Sequence, residues 1–505
     1  MRFFFEFINY LPSNSLFYLA FGFLILISTS FFILKSSKSD HIAFKWLLLS
    51  GFILFGIGFS LIDPFLNEWD EQFHALVAKN LAENPFKPVL IKNTPVELKY
   101  TTWAYCHIWM HKQPLFMWQM ALSIKTFGPT LFAARLPSVL LHAGTAVLLF
   151  SIAGRFLMRP LALLACLLFG LSGYFNDYTS GAIGMDHNDV AFVFYITLSF
   201  WSWLKYRENR SELKWQVVIG MAVGAAILCK WLVGLLVFSG WGLVVLMENY
   251  KNAEEWKNML RTFLVTCIIV LPWQIYCYVQ FNREYVYEMN YNSRHLSEAI
   301  EVHAHDYFFY WETMKQSYGG GEVIRWLIVL GLVLLIISAI RKNEKWKLFV
   351  PFVYLIAFAF FTMAQTRLQG YMTIVAPLGF ILLLYPVQQL IRYSRLANRK
   401  LPAFAITLLF VPVLYFQFGF KQVVDQHKFR SPEVRLARFH KTQKALKFIQ
   451  ENPLKNAHGY YLLDDHEANI LCSIVFFTDK NVLDYSESLE KKLNEKGISY
   501  RIIQY

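Results

Sequence analysis

The chain has 505 residues, of which 56% are hydrophobic, 18% aromatic and only 16% charged, and its formal net charge is +13. A soluble globular chain carries roughly 25% charged residues, so this deficit, with a mean hydropathy of +0.36, excludes ordinary soluble classes and points to a bilayer as solvent. The apolar content excludes disorder, and six scattered cysteines without a CxxC pair exclude a disulfide scaffold or a zinc motif.

Apolar runs of the length that crosses a hydrocarbon core of roughly 30 Å fall at 16–34, 45–62, 131–153, 160–176, 189–204, 216–229, 231–247, 262–280, 324–340, 348–364, 371–390 and 402–419. They predict an all-α polytopic membrane protein of about twelve transmembrane helices. The stretch 216–247 reads either as two short spans or as one helix broken around Lys230. The first run lacks a signal-peptide cleavage site, so a retained span is expected there.

Every second short loop is basic. Lys35, Lys38 and Lys45 lie in the first, Arg155 and Arg159 in the third, Lys205, Arg207, Arg210 and Lys214 in the fifth. Lys251, Lys257 and Arg261 follow, then Arg341, Lys342, Lys345 and Lys347, and finally Arg392, Arg395, Arg399 and Lys400. Basic loops stay cytoplasmic, so the positive charge is topological and a nucleic-acid partner loses its main support. The expected location is the inner (cytoplasmic) membrane, with multiple passes. The opposite face, periplasmic or exterior, then holds loops 63–130 and 281–323, an acidic loop at 177–189, and the C-terminal tail.

Residues 1–420 are expected to form the transmembrane domain and 421–505 a small extracytoplasmic α/β domain. Helical patterns cover Arg435–Gln450 and Ser486–Lys496, and strand-like runs cover Gly459–Leu463, Ile474–Thr478 and Ile498–Gln504. No internal repeat of the kind common in secondary transporters is visible.

Chemistry-bearing residues crowd the outer boundary. Glu68, Asp70 and Glu71 follow the second span, and Phe73, Leu76, Val77 and Leu81 then repeat at helical spacing. This predicts a helix lying along the interface, with its acidic start at the positive end of the helix dipole. Asp177 and Asp186-His187-Asn188-Asp189 form a second acidic group. A carboxylate there can serve as a base, and the loop is also metal-ligand material, although four residues in a row establish no hard-metal site. Lys230 and Arg367 are lone cations between apolar stretches. Snorkelling accounts for many such residues; an anionic ligand at the membrane surface, such as a lipid-linked phosphate, is the sharper account.

In this order the motifs resemble the polyprenyl-phosphate-sugar-dependent glycosyltransferases of the C-type membrane superfold, in the branch of protein O-mannosyltransferases and lipid A aminoarabinose transferases. Asp70-Glu71 resembles the family's Asp-Glu pair, and His111-Lys112-Gln113-Pro114-Leu115 its Lys-Pro-Pro-Leu segment, with Gln113 replacing the first proline. Ala134-Arg135-Leu136-Pro137 is similar to the motif opening the next span, and the Asp186–Asp189 loop to the second acidic position. Gly224 to Lys230 resembles Gly-Leu-x-x-Leu-Thr-Lys with Cys229 for threonine; Leu271-Pro272-Trp273 and a histidine-bearing loop with Arg294, His295, His303 and His305 follow. Arg367 to Tyr371, followed by Pro377, is similar to Lys-x-x-x-Tyr…Pro, with arginine for lysine. The likeness covers about residues 45–390.

The resemblance implies sugar transfer from a polyprenyl-phosphate-linked donor, undecaprenyl or dolichyl, to a hydroxyl of an envelope lipid, glycan or protein. It implies Asp70 as base, Glu71 in support, and Asp186 or Asp189 as the second acidic residue. Lys112, Lys230 and Arg367 would bind phosphate, with Tyr371 and His303 as hydrogen-bond donors. It calls for no nucleotide-binding glycine loop and fixes no cofactor, and a divalent metal is compatible with the acidic loop. The rival readings are a transporter or flippase of a lipid-linked or anionic substrate, and a lipid-binding scaffold.

Overall fold

The computed structural model describes residues 13–35, 42–68, 70–95, 102–182, 185–300, 303–318, 322–393, 432–454, 456, 458–464 and 470–504. Backbone in hydrocarbon must satisfy its own hydrogen bonds, so long apolar runs become helices. Helices α1 (Ser13–Lys35) and α2 (Ile42–Ser60) pack side by side. Their approach depends on Gly22, where a Cβ would lie 2.5 Å from the Phe55 backbone nitrogen. The first long loop contains α3 (Asp70–Glu83) and α4 (Leu115–Phe127). Then come α5 (Leu131–Ala153), α6 (Arg159–Gly170), a short α7 (Gly173–Tyr178), α8 (His187–Glu208) and α9 (Leu213–Lys230).

A 3₁₀ turn at Trp231–Leu235 follows, then α10 (Leu236–Asn249), α11 (Ala253–Gln280), α12 (Asn282–Ser297) and α13 (Phe309–Tyr318). The membrane region continues through α14 (Glu322–Arg341), α15 (Phe349–Met363) and α16 (Ala376–Tyr393). Among the described residues, eight helical runs are long and apolar enough to cross a bilayer. One of them, Leu213–Asn249, is a pair of helices. Trp231 turns with a φ of 66°, and Arg207 at the end of α8 donates to Glu248 at the end of α10 at 2.6 Å. The chain therefore runs out along α9 and back along α10, which settles the alternative at Lys230 in favour of two short spans. The expected span 160–176 stops as a helix at Gly170 and restarts as α7, and the expected span 402–419 lies outside the described residues.

Helix α16 with its 3₁₀ entry is the centre of the bundle. Some 83% of its apolar window is buried by protein, against 22% for α11 at the periphery. The two ends of the bundle differ. At one end Arg155 pairs with Glu208, Arg210 with Glu255, and Lys345 donates to the Met247 carbonyl, drawing the basic loops together. At the other, His111 meets Glu288 at 3.1 Å and the Gln274 amide donates to Gln113 at 2.9 Å, so both long loops share one end.

The C-terminal segment sits on that same end. It contains α17 (Pro432–Glu451), β1 (Tyr460–Asp464), α18 (Leu471–Thr478), β2 (Val482–Asp484), α19 (Glu487–Glu495) and β3 (Tyr500–Gln504). The strands form a parallel sheet of order β2-β1-β3, with Leu462 opposite Leu483 and Ile502. The run 474–478, expected as a strand, is instead the second half of helix α18. A short, wholly apolar run carries no period that separates a buried strand from a buried helix, and parallel strands β1 and β2 require a crossover between them.

Candidate active site

Helix α3 begins with Asp70 and Glu71 in its first turn, where the helix dipole favours carboxylates. It is not the interfacial helix that its apolar period suggests. Its polar face is buried as well as its apolar one, including Glu71, Gln72, His74 and Asn80. Helix α4 covers one side and α18 the other. Gln72 Oε1 accepts from the Ser473 backbone N–H and hydroxyl at 3.3 Å each, and Lys79 donates to the carbonyls of Val475 and Phe476 at 3.3 and 2.8 Å. Glu68 pairs with Arg438 of α17. The C-terminal segment thus packs on α3 as well, which the pattern of α3 alone does not reveal.

The first two residues of α3 have opposite fates. Asp70 is half-buried and, among the described residues, has neither hydrogen bond nor ion pair. Glu71 is completely buried against Arg135 of α5, with Nε to Oε1 at 2.6 Å and Nη2 to Oε2 at 2.9 Å. Arg135 gives its remaining donors to the carbonyls of Ser60, Asp63 and Phe65 at 2.6–2.7 Å. All five guanidinium donors are used. The Asn67 backbone N–H donates to Glu71 Oε2 at 2.5 Å, and His187 Nε2 lies 3.5 Å from Oε1. Burial pushes the Glu71 carboxyl up, but Arg135 and His187 outweigh it and hold it at about 2. Gly181, with a φ of +61°, rests on this residue; a Cβ there would lie 2.6 Å from Glu71 Cβ. Both Glu71 oxygens thus accept hydrogen bonds from within the protein.

Asp186 caps α8, its side chain accepting from the Asn188 backbone N–H. Its Oδ2 meets His74 Nδ1 at 2.5 Å, which ties α8 to α3. Burial raises the Asp186 carboxyl, and His74, His187 and Lys112 more than offset this, so it titrates below the ordinary range. One turn along α8, Asp189 pairs with Lys230 at the end of α9. The Lys230 ammonium also stands 4.9 Å over the Tyr371 ring, a cation–π contact. Lys112 acts electrostatically on both Asp186 and Asp189. Among the sequence-predicted residues, Asp186, Asp189, Lys112, Lys230 and Tyr371 thus form one cluster.

Arg367 and His303 form a neighbouring unit with less freedom. The Arg367 backbone N–H donates to the His303 carbonyl at 3.1 Å. Its guanidinium donates to the Thr362 carbonyl at 3.0 and 3.2 Å and to the His305 carbonyl, and it lies 4.7 Å over Tyr307. Nε, one Nη1 donor and one Nη2 donor are spent stitching the second long loop to the bundle. Arg367 is 4% exposed and braced by backbone, and these bonds leave one donor on each Nη. Among the described residues no three His, Cys, Asp or Glu side chains are grouped to hold a metal ion, and His74 and Lys230 already engage Asp186 and Asp189.

Three participants escaped sequence reading. His74 sits on the helical repeat of α3 with no motif of its own. Arg135 was visible only as part of a span-opening motif, and the His111–Glu288 contact joins residues far apart in the chain.

This arrangement has the fold of the C-type membrane glycosyltransferases. The chain is similar to a crystal structure of ArnT from Cupriavidus metallidurans bound to undecaprenyl phosphate, with a TM-score of 0.62, 14% identity, and coverage of 92% of this chain and 90% of that one. It is also similar to the oligosaccharyltransferase AglB from Archaeoglobus fulgidus, in complex with an inhibitory peptide and a dolichol-phosphate (TM-score 0.58, 12% identity, 89% and 65% coverage). Residues 111–276 match the sequence model of the dolichyl-phosphate-mannose-protein mannosyltransferase family. Undecaprenyl phosphate-alpha-4-amino-4-deoxy-L-arabinose arabinosyl transferases from Pseudomonas aeruginosa and Pseudomonas paraeruginosa are 26% and 27% identical, over 52% and 56% of this chain and 48% and 51% of theirs. The chain spans about half the length of these relatives. The likeness first read from motifs in the chain is thereby borne out, and the protein is a multi-pass membrane protein.

Proposed function

We propose that this protein transfers a sugar from a polyprenyl-phosphate-linked donor to a hydroxyl of an envelope lipid, glycan or protein, with inversion at the anomeric carbon. The observation that carries the reading is the unpartnered Asp70 carboxylate at the head of a buried helix, on the same bundle end as the Asp189–Lys230–Tyr371 cluster. The acceptor oxygen attacks the anomeric carbon, the bond from that carbon to the phosphate oxygen breaks, and the polyprenyl phosphate departs with the bonding pair. Asp70, whose carboxylate has no partner among the described residues, takes the hydroxyl proton. Lys230 and Lys112 stabilise the charge growing on the phosphate, and Tyr371 keeps the Lys230 ammonium in place. Arg367 and His303 hold the second loop over this region rather than forming the main anion contact.

The donor named for the similar Pseudomonas enzymes, an undecaprenyl-phosphate-linked aminoarabinose, is the first to test. The alternation of basic loops supports a cytoplasmic-membrane location with the site facing outward. The decisive assay supplies purified protein with undecaprenyl-phosphate-linked sugars and envelope acceptors, and follows the product by mass spectrometry. Asp70→Asn should reduce turnover by about 10²–10⁴-fold while donor binding persists. Turnover close to wild type in that variant would remove Asp70 from the mechanism. Solute counterflow in proteoliposomes without sugar transfer would support a transporter instead.

A further inference from the structure

Helix α12 has sixteen residues, and the one that it buries is a carboxylate, Glu288 at 1% exposure. Val286 and Met289 beside it are exposed. Packing alone gives a helix no reason to bury its charge while apolar side chains lie outside. A buried carboxylate needs a partner, and His111 Nδ1 donates to Glu288 Oε2 at 3.1 Å across the two long loops. Trp103 stacks on the same imidazole, with ring centroids 4.6 Å and planes 12° apart, so His111 is held at an edge and on a face. His111 is the residue before Lys112. The residue after Lys112, Gln113, is buried and held from the same side. Gln274 of α11 donates to Gln113 Oε1 at 2.9 Å, and the Tyr285 hydroxyl of α12 donates to Gln274 Oε1 at 3.2 Å.

Residues 111–114 belong to no helix or strand, so their course is set by side-chain ties rather than by a helical or sheet ladder. Lys112 stands between two such ties, and it acts electrostatically on Asp186 and Asp189 across the site. We propose that Glu288 and Gln274 are positioning residues: by fixing His111 and Gln113 they aim the Lys112 ammonium at the phosphate of the lipid-linked donor. In this role neither touches the phosphate, and both act through Lys112. The inference rests on the reading of Lys112 as a phosphate contact, and it adds α11 and α12 to the elements that bind the donor.

The test measures binding of undecaprenyl phosphate to the full chain in detergent by native mass spectrometry. Lys112→Met should weaken binding by about tenfold to a hundredfold, the scale of one hydrogen bond to a charged group. Glu288→Leu should weaken it by about fivefold, and Glu288→Gln, which keeps an acceptor for the His111 N–H, should stay within about twofold of wild type. The double variant Lys112→Met with Glu288→Leu should bind no more weakly than Lys112→Met alone, because positioning acts only through the ammonium. Wild-type affinity in Glu288→Leu would overturn the proposal. So would a double variant whose losses multiply, which is the mark of general loosening, or a Glu288→Gln variant as weak as Glu288→Leu. If Glu288→Leu fails to fold, Gln274→Leu carries the same comparison with Lys112→Met through the other tie. A wild-type protein without affinity for undecaprenyl phosphate would overturn the proposed function and this inference with it. Affinity in wild type that no change at Glu288 or Gln274 alters would overturn the inference alone.

Discussion

Glu71 with Arg135 and Asp189 with Lys230 are both carboxylate–cation pairs at the loop-bearing end of the bundle, but their donor arithmetic differs. Arg135 has five donors and uses every one, on two carboxylate oxygens and three carbonyls. Neither partner is exposed at all. Lys230 has three donors, and among the described residues it commits one to Asp189, while its side chain stays 23% exposed beside Tyr371. A saturated pair has nothing left to offer a substrate and fixes the fold instead. An unsaturated pair keeps N–H groups, which the proposed function assigns to the donor phosphate. The resemblance alone marks both carboxylates as acidic family positions; the hydrogen-bond count separates the saturated pair from the unsaturated one, and under the proposed function that separates scaffold from chemistry.

The largest effect should come from breaking the saturated pair. Arg135→Met strands Glu71 in a fully buried site and leaves the carbonyls of Ser60, Asp63 and Phe65 without this donor, a loss of about 3–5 kcal/mol. Arg135→Lys should fare little better, because an ammonium cannot replace a five-donor fork. Thermal unfolding in detergent measures both, and a midpoint equal to wild type in Arg135→Met would erase the distinction. Lys230→Ala should behave in the reverse way. With Lys112 still beside Asp189, its stability cost should stay within about 2 kcal/mol, while turnover falls by about 10²–10³-fold, the scale of one lost oxyanion donor. Combining it with Asp189→Asn should be non-additive in turnover, since the two share a contact.

The acid limb sharpens the same contrast. The Glu71 carboxyl is depressed in the folded state from 4.5 to about 2, so its stabilisation is fully present above about pH 4.5 and is lost as pH falls towards 2. A shift of that size corresponds to about 3 kcal/mol. Unfolding followed from pH 6 down to pH 3 should show stability falling below pH 4.5 in wild type. Glu71→Gln should lack that slope. An identical acid limb in the variant would assign it to other carboxylates.

Much of the membrane architecture was legible because hydrocarbon imposes one rule on every span. Basic loops, long outer loops and Asp70, Asp189 and Lys230 could be picked from the chain for the same reason: charge at a membrane boundary is costly and therefore conspicuous; Lys112 and Tyr371 came only with the family resemblance. What stayed hidden depends on partners distant in sequence. The apolar period of α3 is compatible with a lipid interface or a protein cover, and only Ser473 and the α18 carbonyls, about four hundred residues on, decide for the cover. His74 carries no signal until Asp186 is beside it. Arg367 looks like a free fork until the carbonyls of Thr362 and His305 occupy it. Helix α18 itself was read partly as a strand, because an apolar run that is buried on every side has no period.

The smallest effect concerns how the C-terminal domain holds the helix that carries Asp70. Lys79, 11% exposed, places its ammonium against the last carbonyls of α18 and within 3.2 Å of Asp479 just beyond them, where a cation complements the negative end of the helix. Lys79→Met keeps the length and apolar stem of the side chain and removes only this cap. The expected cost is about 1–2 kcal/mol, too little to unfold the protein but enough to loosen α18 from α3. Hydrogen exchange in Leu471–Thr478 should quicken by about tenfold, while the bundle helices keep their protection. Turnover should fall only a few-fold, through kcat and not KM, because Asp70 loses some of its fixed orientation without losing its charge. If exchange in α18 is unchanged, the domain is held by its other contacts, among them Gln72 with Ser473, Glu68 with Arg438 and Lys496 with the Pro95 carbonyl. If exchange quickens and turnover does not move, the domain covers α3 without positioning Asp70.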